Sequence, residues 1–250
     1  MQKVTHSEYI AQKKPLAKQL LAKLNEKYQY ASVLITDNYE KGYRASRSGV
    51  AISATNAFGG KGMIVKVYDG KGYAEYSTNE ITAENLPEIE REIEQQLMNP
   101  ANFIPEGTEE AEYKCISDEP CTLCEATDYE IHPREVGDEK LIETVTALRE
   151  KAVKADERIL DAITGFIYQE YHKLFLSANR ELEQSVLYST GIMALVAAKG
   201  EEIKQSFRGF SNLGGAELLD KMESAIPQCV KTVTDLLNAE PMEPGEIGRA

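Results

Sequence analysis

The stretch Met63-Ile-Val-Lys-Val-Tyr-Asp-Gly-Lys-Gly-Tyr-Ala-Glu-Tyr-Ser77 decides the fold class of this chain. Its first six residues are β-branched, aromatic or otherwise suited to a pleated surface, which predicts a strand over 63–68. Asp69-Gly70 is typical of a tight hairpin turn, because both central residues of that turn need a positive φ angle. A returning strand is predicted over 72–77, so the chain contains antiparallel sheet.

Helical patterns flank this hairpin on both sides. A first helix is predicted to begin at Pro15 and to end near Tyr28, and a strand over 31–36 follows it, with Asp37-Asn38 as turn residues. Thr82 is a candidate cap for a second helix. The apolar stripes of the two helices are formed by residues spaced three or four apart: Leu16, Leu20, Leu21 and Leu24, then Leu86, Ile89, Ile93 and Leu97.

The second half of the chain loosely repeats the first. Alternating polar and apolar runs open at 30–38 and again at 171–179, and each lies between helical patterns. The second set begins with a long helix from about Asp138 to Gly165, whose apolar face includes Ile159 and Ile163. Strands are predicted over 166–177, 183–189, 192–198 and 202–210, followed by a helix over 217–238 interrupted at Pro227. A repeat of this size indicates paired units.

The predicted fold class is therefore α+β, with two successive helix–antiparallel strands–helix units and a sheet covered by helices. Residues 1–98 form the first unit and residues 138–250 the second. Residues 99–137 between them hold four prolines, many acidic residues and three of the four cysteines, without a sustained hydrophobic period. We interpret this segment as an acidic connector that contains cysteines.

Composition narrows the possible function classes. Of the 250 residues, 42% are apolar and 28% are charged, which is typical of a globular protein. The 41 acidic residues exceed the 28 basic ones, giving a net charge of −13, which argues against a nucleic-acid partner. No apolar run approaches the roughly 20 residues that span a bilayer, and the N-terminus lacks the apolar core of a signal peptide. We expect a cytoplasmic protein without a membrane partner, whose cysteines are reduced.

The cysteines form the most obvious metal candidate. Cys121 and Cys124 have the Cys-x2-Cys spacing that can share one tetrahedral zinc ion, Cys115 lies six residues earlier, and His132 is the nearest fourth ligand. The alternative is three reduced thiols in a surface segment, since the usual second pair is missing. A small zinc protein built on this cluster remains open at this point.

Other motifs favour structural roles. Gly59-Gly-Lys-Gly62 lacks the Ser or Thr and the following helix of a phosphate-binding loop. His6, His132 and His172 are dispersed, and His172 lies in a predicted strand, which favours a structural histidine. The acidic run 88–94 fits the solvated face of a helix. The run 77–79, Ser-Thr-Asn, closes a strand before a helix, so it supplies either turn and capping groups or the polar rim of a cleft.

Several stretches together resemble the TldD/PmbA family. The N-terminal ones are 43–52 (YRASRSGVAI), 59–70 (GGKGMIVKVYDG) and 72–79 (GYAEYSTN). The central ones are Asn179, Ser189-Thr-Gly191 and the loop Asn212-Leu-Gly-Gly215 before a long helix. Residues 239–246 look like the link into the C-terminal domain of that family. The resemblance covers nearly the whole chain, and the order and spacing of the motifs make it specific.

The resemblance implies a zinc-dependent peptidase system that degrades peptides and unfolded segments and that carries an older label as a modulator of DNA gyrase. In TldD-type members an H-E-x-x-x-H helix of the C-terminal domain holds the zinc, whereas the PmbA (TldE) type lacks these ligands and pairs with the first type. This sequence contains no such motif and ends at Ala250, where that domain should begin. We therefore expect no catalytic residue and no cofactor in this chain, with zinc in the missing domain if the parent is of the TldD type.

These observations lead to one hypothesis and one alternative. The hypothesis is the N-terminal and central part of a metallopeptidase subunit, which forms a homodimer or heterodimer with a TldD/PmbA-family subunit and contributes to a cleft for peptides. An exposed strand edge would hold the peptide, and the candidate contact residues are Gly60, Gly62, Ser77, Thr78 and Asn79. The alternative is a non-catalytic interaction or assembly module, such as a partner subunit of the PmbA/TldE type.

Overall fold

A computed structural model describes residues 1–54, 60–98 and 113–240, together with 245 and 248. The helices are α1 (Glu8–Lys27), α2 (Leu86–Met98), α3 (Pro133–Val136), α4 (Asp138–Lys154), α5 (Leu218–Ser224) and α6 (Ile226–Leu237). The strands are β1 (Gln2–Lys3), β2 (Tyr30–Ser46), β3 (Gly49–Ala54), β4 (Gly60–Tyr68), β5 (Tyr73–Thr78), β6 (Cys121–Ala126), β7 (Asp128–Tyr129), β8 (Ile159–Ser177), β9 (Arg180–Lys199) and β10 (Glu202–Leu213). This mixture of helices and antiparallel sheet confirms the α+β class.

Eight strands form one sheet in the order β10-β9-β8-β2-β4-β5, with β3 paired to β2 and β6 paired to β9. The pairs β2–β4 and β4–β5 are antiparallel, and β6 runs parallel to β9. Val65 of β4 lies opposite Val33 of β2 and opposite Tyr76 of β5. The short strands β1 and β7 form a separate antiparallel pair.

Contacts divide the chain into two compact units. Unit 1 contains residues 1–41, 54–129 and 169–188, and unit 2 contains residues 42–53, 130–168 and 189–250. The predicted boundaries at 98/99 and 137/138 do not coincide with this division. The reason is the length of three strands: β2, β8 and β9 have 17, 19 and 20 residues, so each leaves one unit and continues in the other.

The core of unit 1 is formed by the apolar stripes of α1 and α2 against alternate residues of the strands. Leu20 of α1 and Ile93 of α2 are fully buried, as are Val33 and Val65 of the paired strands. Leu174 of β8 belongs to the same cluster. The predicted apolar stripes of the two helices thus face the sheet, with Leu16 and Leu97 packed at the margin of the cluster.

The core of unit 2 is formed in the same way by α4, α5 and α6 and the strands of this unit. Leu141, Val145 and Leu148 of α4 are buried, and so is Phe166 of β8. The hydroxyl of Thr164 donates to the carbonyl of Val145 at 2.6 Å, so this buried polar group is satisfied. The interruption predicted at Pro227 is confirmed, because α5 ends at Ser224 and α6 begins at Ile226.

Two predicted helix boundaries are wrong. Helix α1 begins at Glu8, not at Pro15, because Ser7 caps it and the helix continues through the proline. Helix α4 ends at Lys154, and residues 159–165, predicted as its last turns, begin strand β8. A turn around Asp156 separates the two elements, with the Asp156 carboxylate accepting from the amide of Arg158 at 2.9 Å.

Strands are longer than predicted. Strand β2 continues through Asp37-Asn38, which were predicted as a turn, and β9 continues through Gly191, where two strands were predicted. Residues 121–126, assigned to the connector, form a strand, whereas residues 99–112 and 55–59 lie outside the described part of the chain. Within the described residues, no helix is long and apolar enough to cross a membrane.

Candidate functional site

The residues predicted to contact a substrate lie at one end of the β4–β5 hairpin, in unit 1. In the β4–β5 register Ser77 lies opposite Ile64, and Thr78 lies opposite Met63. A Cβ atom added to Gly62 would lie 3.3 Å from the carbonyl oxygen of Thr78 and 3.6 Å from the side-chain oxygen of Asn79. The structure therefore brings Gly62, Ser77, Thr78 and Asn79 together.

Gly60 lies at the start of β4, opposite Asn38 of β2. A Cβ atom at this position would lie 1.9 Å from the carbonyl oxygen of Asn38, a distance that no real Cβ contact shows. Only glycine fits here, since the neighbouring atom belongs to the backbone and cannot rotate away. Gly60 therefore fixes the close approach of β4 and β2 at the margin of the candidate site.

Turn and capping groups also occupy this end, as one of the two interpretations of the Ser-Thr-Asn run predicted. The hydroxyl of Thr78 donates to the carbonyl of Glu80 at 3.0 Å and accepts from the amide of Glu80 at 3.3 Å. Thr82 and Asn85 exchange bonds in the turn before α2, with the amide of Asn85 donating to Thr82 Oγ1 at 3.3 Å. This local network holds the end of β5 in place.

Strand β5 is the last strand in the order of the sheet. Among the described strands it pairs only with β4, so its other side is an edge. The beginning of β5 is covered, because the hydroxyl of Tyr73 donates to the carbonyl of Lys114 and accepts from the amide of Ile116, both at 2.8 Å. Ser77 near its end is exposed. An edge strand presents unpaired backbone groups, which are a template for an additional strand.

An apolar strip leads to this edge. Directly opposed residues of an antiparallel pair share one face of the sheet, so Leu34, Ile64 and Ser77 lie on the same face. Ile64 is 42% exposed, whereas its neighbours Met63 and Val65 are buried in the unit 1 core. The combination of an apolar strip, a polar end and an open edge suits an extended peptide, whose backbone pairs with the edge while its side chains contact the strip.

The cysteine cluster predicted as a metal candidate is not assembled. Cys121 and Cys124 lie three residues apart on strand β6, and residues at odd separation point to opposite faces of a strand. The imidazole Nδ1 of His132 accepts from the amide of Arg134, where it caps the short helix α3. Across residues 1–54, 60–98 and 113–240, no group of three or more His, Cys, Asp or Glu side chains is placed to hold a metal ion.

A polar network in unit 1 was not predicted from the sequence. Ser185 Oγ lies 2.9 Å from the Nδ1 atoms of both His172 and His6, and Nε2 of His172 lies 3.7 Å from a carboxylate oxygen of Glu170. Ser185, His172 and Glu170 are buried. The signal in the sequence was the pair Glu170 and His172, two residues apart on the buried face of a strand. Their partner His6 is more than 160 residues away, and no local pattern reveals it.

Lysines of α1 pair with glutamates of β9 beside this network. Lys14 Nζ lies 2.8 Å from Glu181 and 3.0 Å from Glu183, and Lys18 lies 2.6 Å from Glu181. The hydrogen bonds from Lys14 and Lys18 lower the pKa of Glu181 below its usual value. The pKa of Lys14 is raised, chiefly by its bond to Glu181.

Comparison with known proteins shows a similarity of fold. No family model matches the sequence, and no curated protein matches it. Among solved structures, a candidate modulator of DNA gyrase from Bacteroides thetaiotaomicron is 17% identical with a TM-score of 0.66 over 93% of this chain and 52% of the other. A second candidate modulator, from Thermotoga maritima, is 14% identical with a TM-score of 0.70 over 93% of this chain and 50% of the other.

The protein TldE from Thermococcus kodakarensis is similar in the same way. It is 14% identical with a TM-score of 0.61, over 87% of this chain and 47% of that protein. The resemblance stated from the sequence motifs is therefore confirmed at the level of the fold. The chain spans about half the length of each of these proteins.

Proposed function

We propose that this chain, which has the fold of the candidate DNA-gyrase modulators and of TldE, is the N-terminal and central part of a metallopeptidase subunit of the TldD/PmbA type. It contributes one wall of a cleft for peptides or unfolded segments and part of a dimer surface. The observation that carries the proposal is the edge strand β5, whose far end is open and polar. Any zinc belongs to another part of such a subunit, so the chain by itself binds peptides without hydrolysing them.

Main-chain pairing explains how such a site would accept many sequences. A peptide added to a sheet edge gains affinity from backbone hydrogen bonds, which every residue except proline can make. Specificity then comes from the face that alternate side chains meet, here the strip that contains Leu34 and Ile64. An unfolded segment presents the extended backbone that this pairing needs.

Peptides methylated at single backbone nitrogens test this mode of binding. An edge-paired peptide directs alternate N–H groups toward the protein, so N-methylation at every second residue should abolish binding, whereas N-methylation at the intervening residues should leave it within about twofold. The measurement is fluorescence anisotropy of a labelled, uncharged ten-residue peptide. Mass spectrometry of the same samples should show an intact peptide.

Two outcomes would contradict the proposal. Equal effects of methylation at all positions would mean that the peptide does not bind as a strand. Cleavage of the peptide by the purified chain would mean that the chain carries catalytic residues of its own. This holds whether or not a chelator stops the cleavage.

A dimer surface is supported by exposed apolar side chains of unit 2. Six large apolar residues on strands β8, β9 and β10 are more than a third exposed: Leu160, Ile167, Ile192, Ile203, Phe207 and Leu213. Two of them, Ile167 and Ile192, line an open cavity of about 480 Å³ together with Gly165, Gly191 and other residues. Apolar surface of this kind marks sites of association when it is contiguous. The partner in this proposal is a second subunit of the TldD/PmbA family, either identical or of the other type.

The same observation favours the alternative function, a non-catalytic interaction or assembly module of the PmbA/TldE partner type. Sedimentation velocity tests for the dimer that both functions predict. The chain should dimerise, and Ile192→Asp or Phe207→Asp should shift it to monomer. Leu123→Asp is the matched control, because Leu123 is 47% exposed on β6 of unit 1. A dimer that binds no extended peptide would favour the assembly module. A chain that sediments as a monomer, with and without these three substitutions, would contradict the proposed dimer surface.

A further inference from the structure

Cys124 has an imidazole as its immediate neighbour. The thiol is exposed on β6, and its sulfur lies 3.4 Å from Nε2 of His6, the residue that precedes the N-cap of α1. The side chain of His6 is 36% exposed, so the pair is open to small molecules. A thiol beside a base is the arrangement that generates a nucleophilic thiolate, because the imidazole takes the proton.

The hydrogen bonds behind His6 determine which of its nitrogens is free to act as the base. Ser185 Oγ has one proton and lies between two Nδ1 atoms, so it donates to one imidazole and accepts from the other. Nε2 of His172 lies 3.7 Å from the Glu170 carboxylate, and we assign the His172 proton to Nε2 because an N–H there is the form that a carboxylate favours. Nδ1 of His172 then accepts from Ser185.

It follows that Ser185 accepts from Nδ1–H of His6. A second carboxylate supports this proton position, since an oxygen of Glu183 lies 3.8 Å from the same Nδ1 atom. With its proton on Nδ1, neutral His6 carries a lone pair on Nε2, the atom that faces Cys124. The buried side chains therefore orient His6 as an acceptor for the thiol proton, in the way that a third group orients the base of a catalytic dyad.

We propose that Cys124 is an activated thiol and a site of covalent modification by small disulfides. The proton of the Cys124 thiol moves to Nε2 of His6, and the thiolate attacks one sulfur of the disulfide. A new S–S bond forms to Cys124 while the old S–S bond breaks, and its electron pair leaves with the second sulfur as a thiolate. That thiolate takes the proton from His6, so one disulfide and one thiol are consumed and one of each is produced.

The positive charge that forms on His6 during this exchange is stabilised within the cluster. Glu183 is the nearest carboxylate, and its other oxygen is held by Lys14 at 3.0 Å. Glu181 is paired with the same lysine, and Glu170 lies behind His172. The proposal is independent of peptide binding, because none of these residues belongs to the β5 edge.

Cys121 is a matched control on the same strand. It is exposed, like Cys124, but its backbone amide bonds to Asn179 and its side chain points to the opposite face of β6. Two variants isolate the two thiols: Cys115→Ser with Cys121→Ser retains Cys124, and Cys115→Ser with Cys124→Ser retains Cys121. The buried Cys229 is present in both.

The experiment follows the reaction of each variant with 4,4′-dithiodipyridine at pH 7 by the absorbance of the released thione. We expect Cys124 to react roughly a hundredfold faster than Cys121, the lower end of general-base effects. Adding His6→Gln to the variant that retains Cys124 should lower its rate to that of Cys121, and adding Ser185→Ala should lower it in part. Equal rates for the two thiols would overturn the proposal, as would a rate for Cys124 that His6→Gln leaves unchanged. The first comparison replaces only exposed cysteines, so it decides the matter even if a His6 or Ser185 variant fails to fold.

Discussion

Gly60 lies at the margin of the candidate site, and the close approach of β4 and β2 depends on its lack of a side chain. The space that a side chain would need is filled by the backbone carbonyl of Asn38. A change at this position therefore reports on the packing of β4 against β2.

Gly60→Ala should lower the free energy of unfolding by about 2 kcal/mol, because the added methyl group forces the two strands apart. Urea denaturation of the purified variant measures this. Gly72→Ala is the control, since nothing lies within 4 Å of a Cβ atom at Gly72 and its φ angle is not positive. Equal stability of the two variants would show that β4 and β2 do not approach as described.

Asp69 gives the hairpin turn a dependence on pH. Its carboxylate accepts from the amides of Lys71 and Gly72 at 2.8 and 2.9 Å, and the bond from Gly72 is the main reason that its pKa lies below the usual value. A lowered pKa in the folded state means that the ionised group stabilises the fold. That contribution is complete above the unfolded-state pKa and is lost as the pH falls through the folded-state pKa.

Asp69→Asn should therefore be less stable than the natural chain at pH 6, by less than about 1 kcal/mol because the group is exposed. The difference should shrink as the pH falls below 3.8, the ordinary value for this group. Urea denaturation of both proteins at pH 6 and at pH 3 measures the two differences. A difference that does not change with pH would mean that the charge of Asp69 does not stabilise the turn.

At the scale of the element, the N-terminus of α1 shows how one side chain joins a helix to the sheet. Ser7 Oγ accepts from the amide of Ile10 at 3.2 Å, which caps the helix, and donates to the carboxylate of Asp37 on β2 at 2.6 Å. Ser7 is buried. The same residue therefore satisfies a helix end and a charged group of the neighbouring strand.

Ser7→Ala should cost about 1 kcal/mol or more of stability, since it removes the cap and one partner of a partly buried carboxylate. Thermal unfolding followed by circular dichroism measures the loss. Ser224→Ala is the comparison. Ser224 is exposed and its hydroxyl donates to a carbonyl in the preceding turn of α5, so the loss of stability from this substitution should be close to zero. Similar values for the two variants would mean that Ser7 does not cap α1.

Elements with a strong local pattern were predictable from the sequence. The hairpin β4–β5 was found because β-branched residues, Asp69-Gly70 and a second apolar run follow one another, and α2 because its apolar residues repeat every three or four positions. Both patterns indicate which face of the element is buried, and each can be read from a few neighbouring residues. The candidate residues Gly62, Ser77 and Thr78 came together for the same reason, because the register of one hairpin places them.

Elements whose identity depends on distant contacts were not predictable. Residues 159–165 have apolar positions that fit a helix or a strand, and their pairing within the sheet decides between the two. Strand β6 is exposed along most of its length and has no apolar alternation, so only its parallel pairing with β9 makes it a strand. The contact between Cys124 and His6 depends on that pairing.

At the scale of the whole molecule, the fold is shared with proteins about twice as long. A fold of this kind supports more than one function, so the proposed role rests on the open edge of β5 and on the exposed apolar residues of unit 2. The edge and the apolar residues belong to different units. We therefore expect substitutions at one of these two features to leave the other unaffected.

The central claim is that an extended peptide pairs with the free edge of β5. The most direct test places a photo-crosslinking amino acid at Ser77 of β5 and, in a second variant, at Gln205 of β10, the strand at the other end of the sheet. Both positions are exposed. After irradiation with a labelled extended peptide, we predict crosslinks from position 77 that an excess of unlabelled peptide removes, and none from position 205. Crosslinks from position 205 alone, or from neither position while the peptide remains bound, would contradict the account.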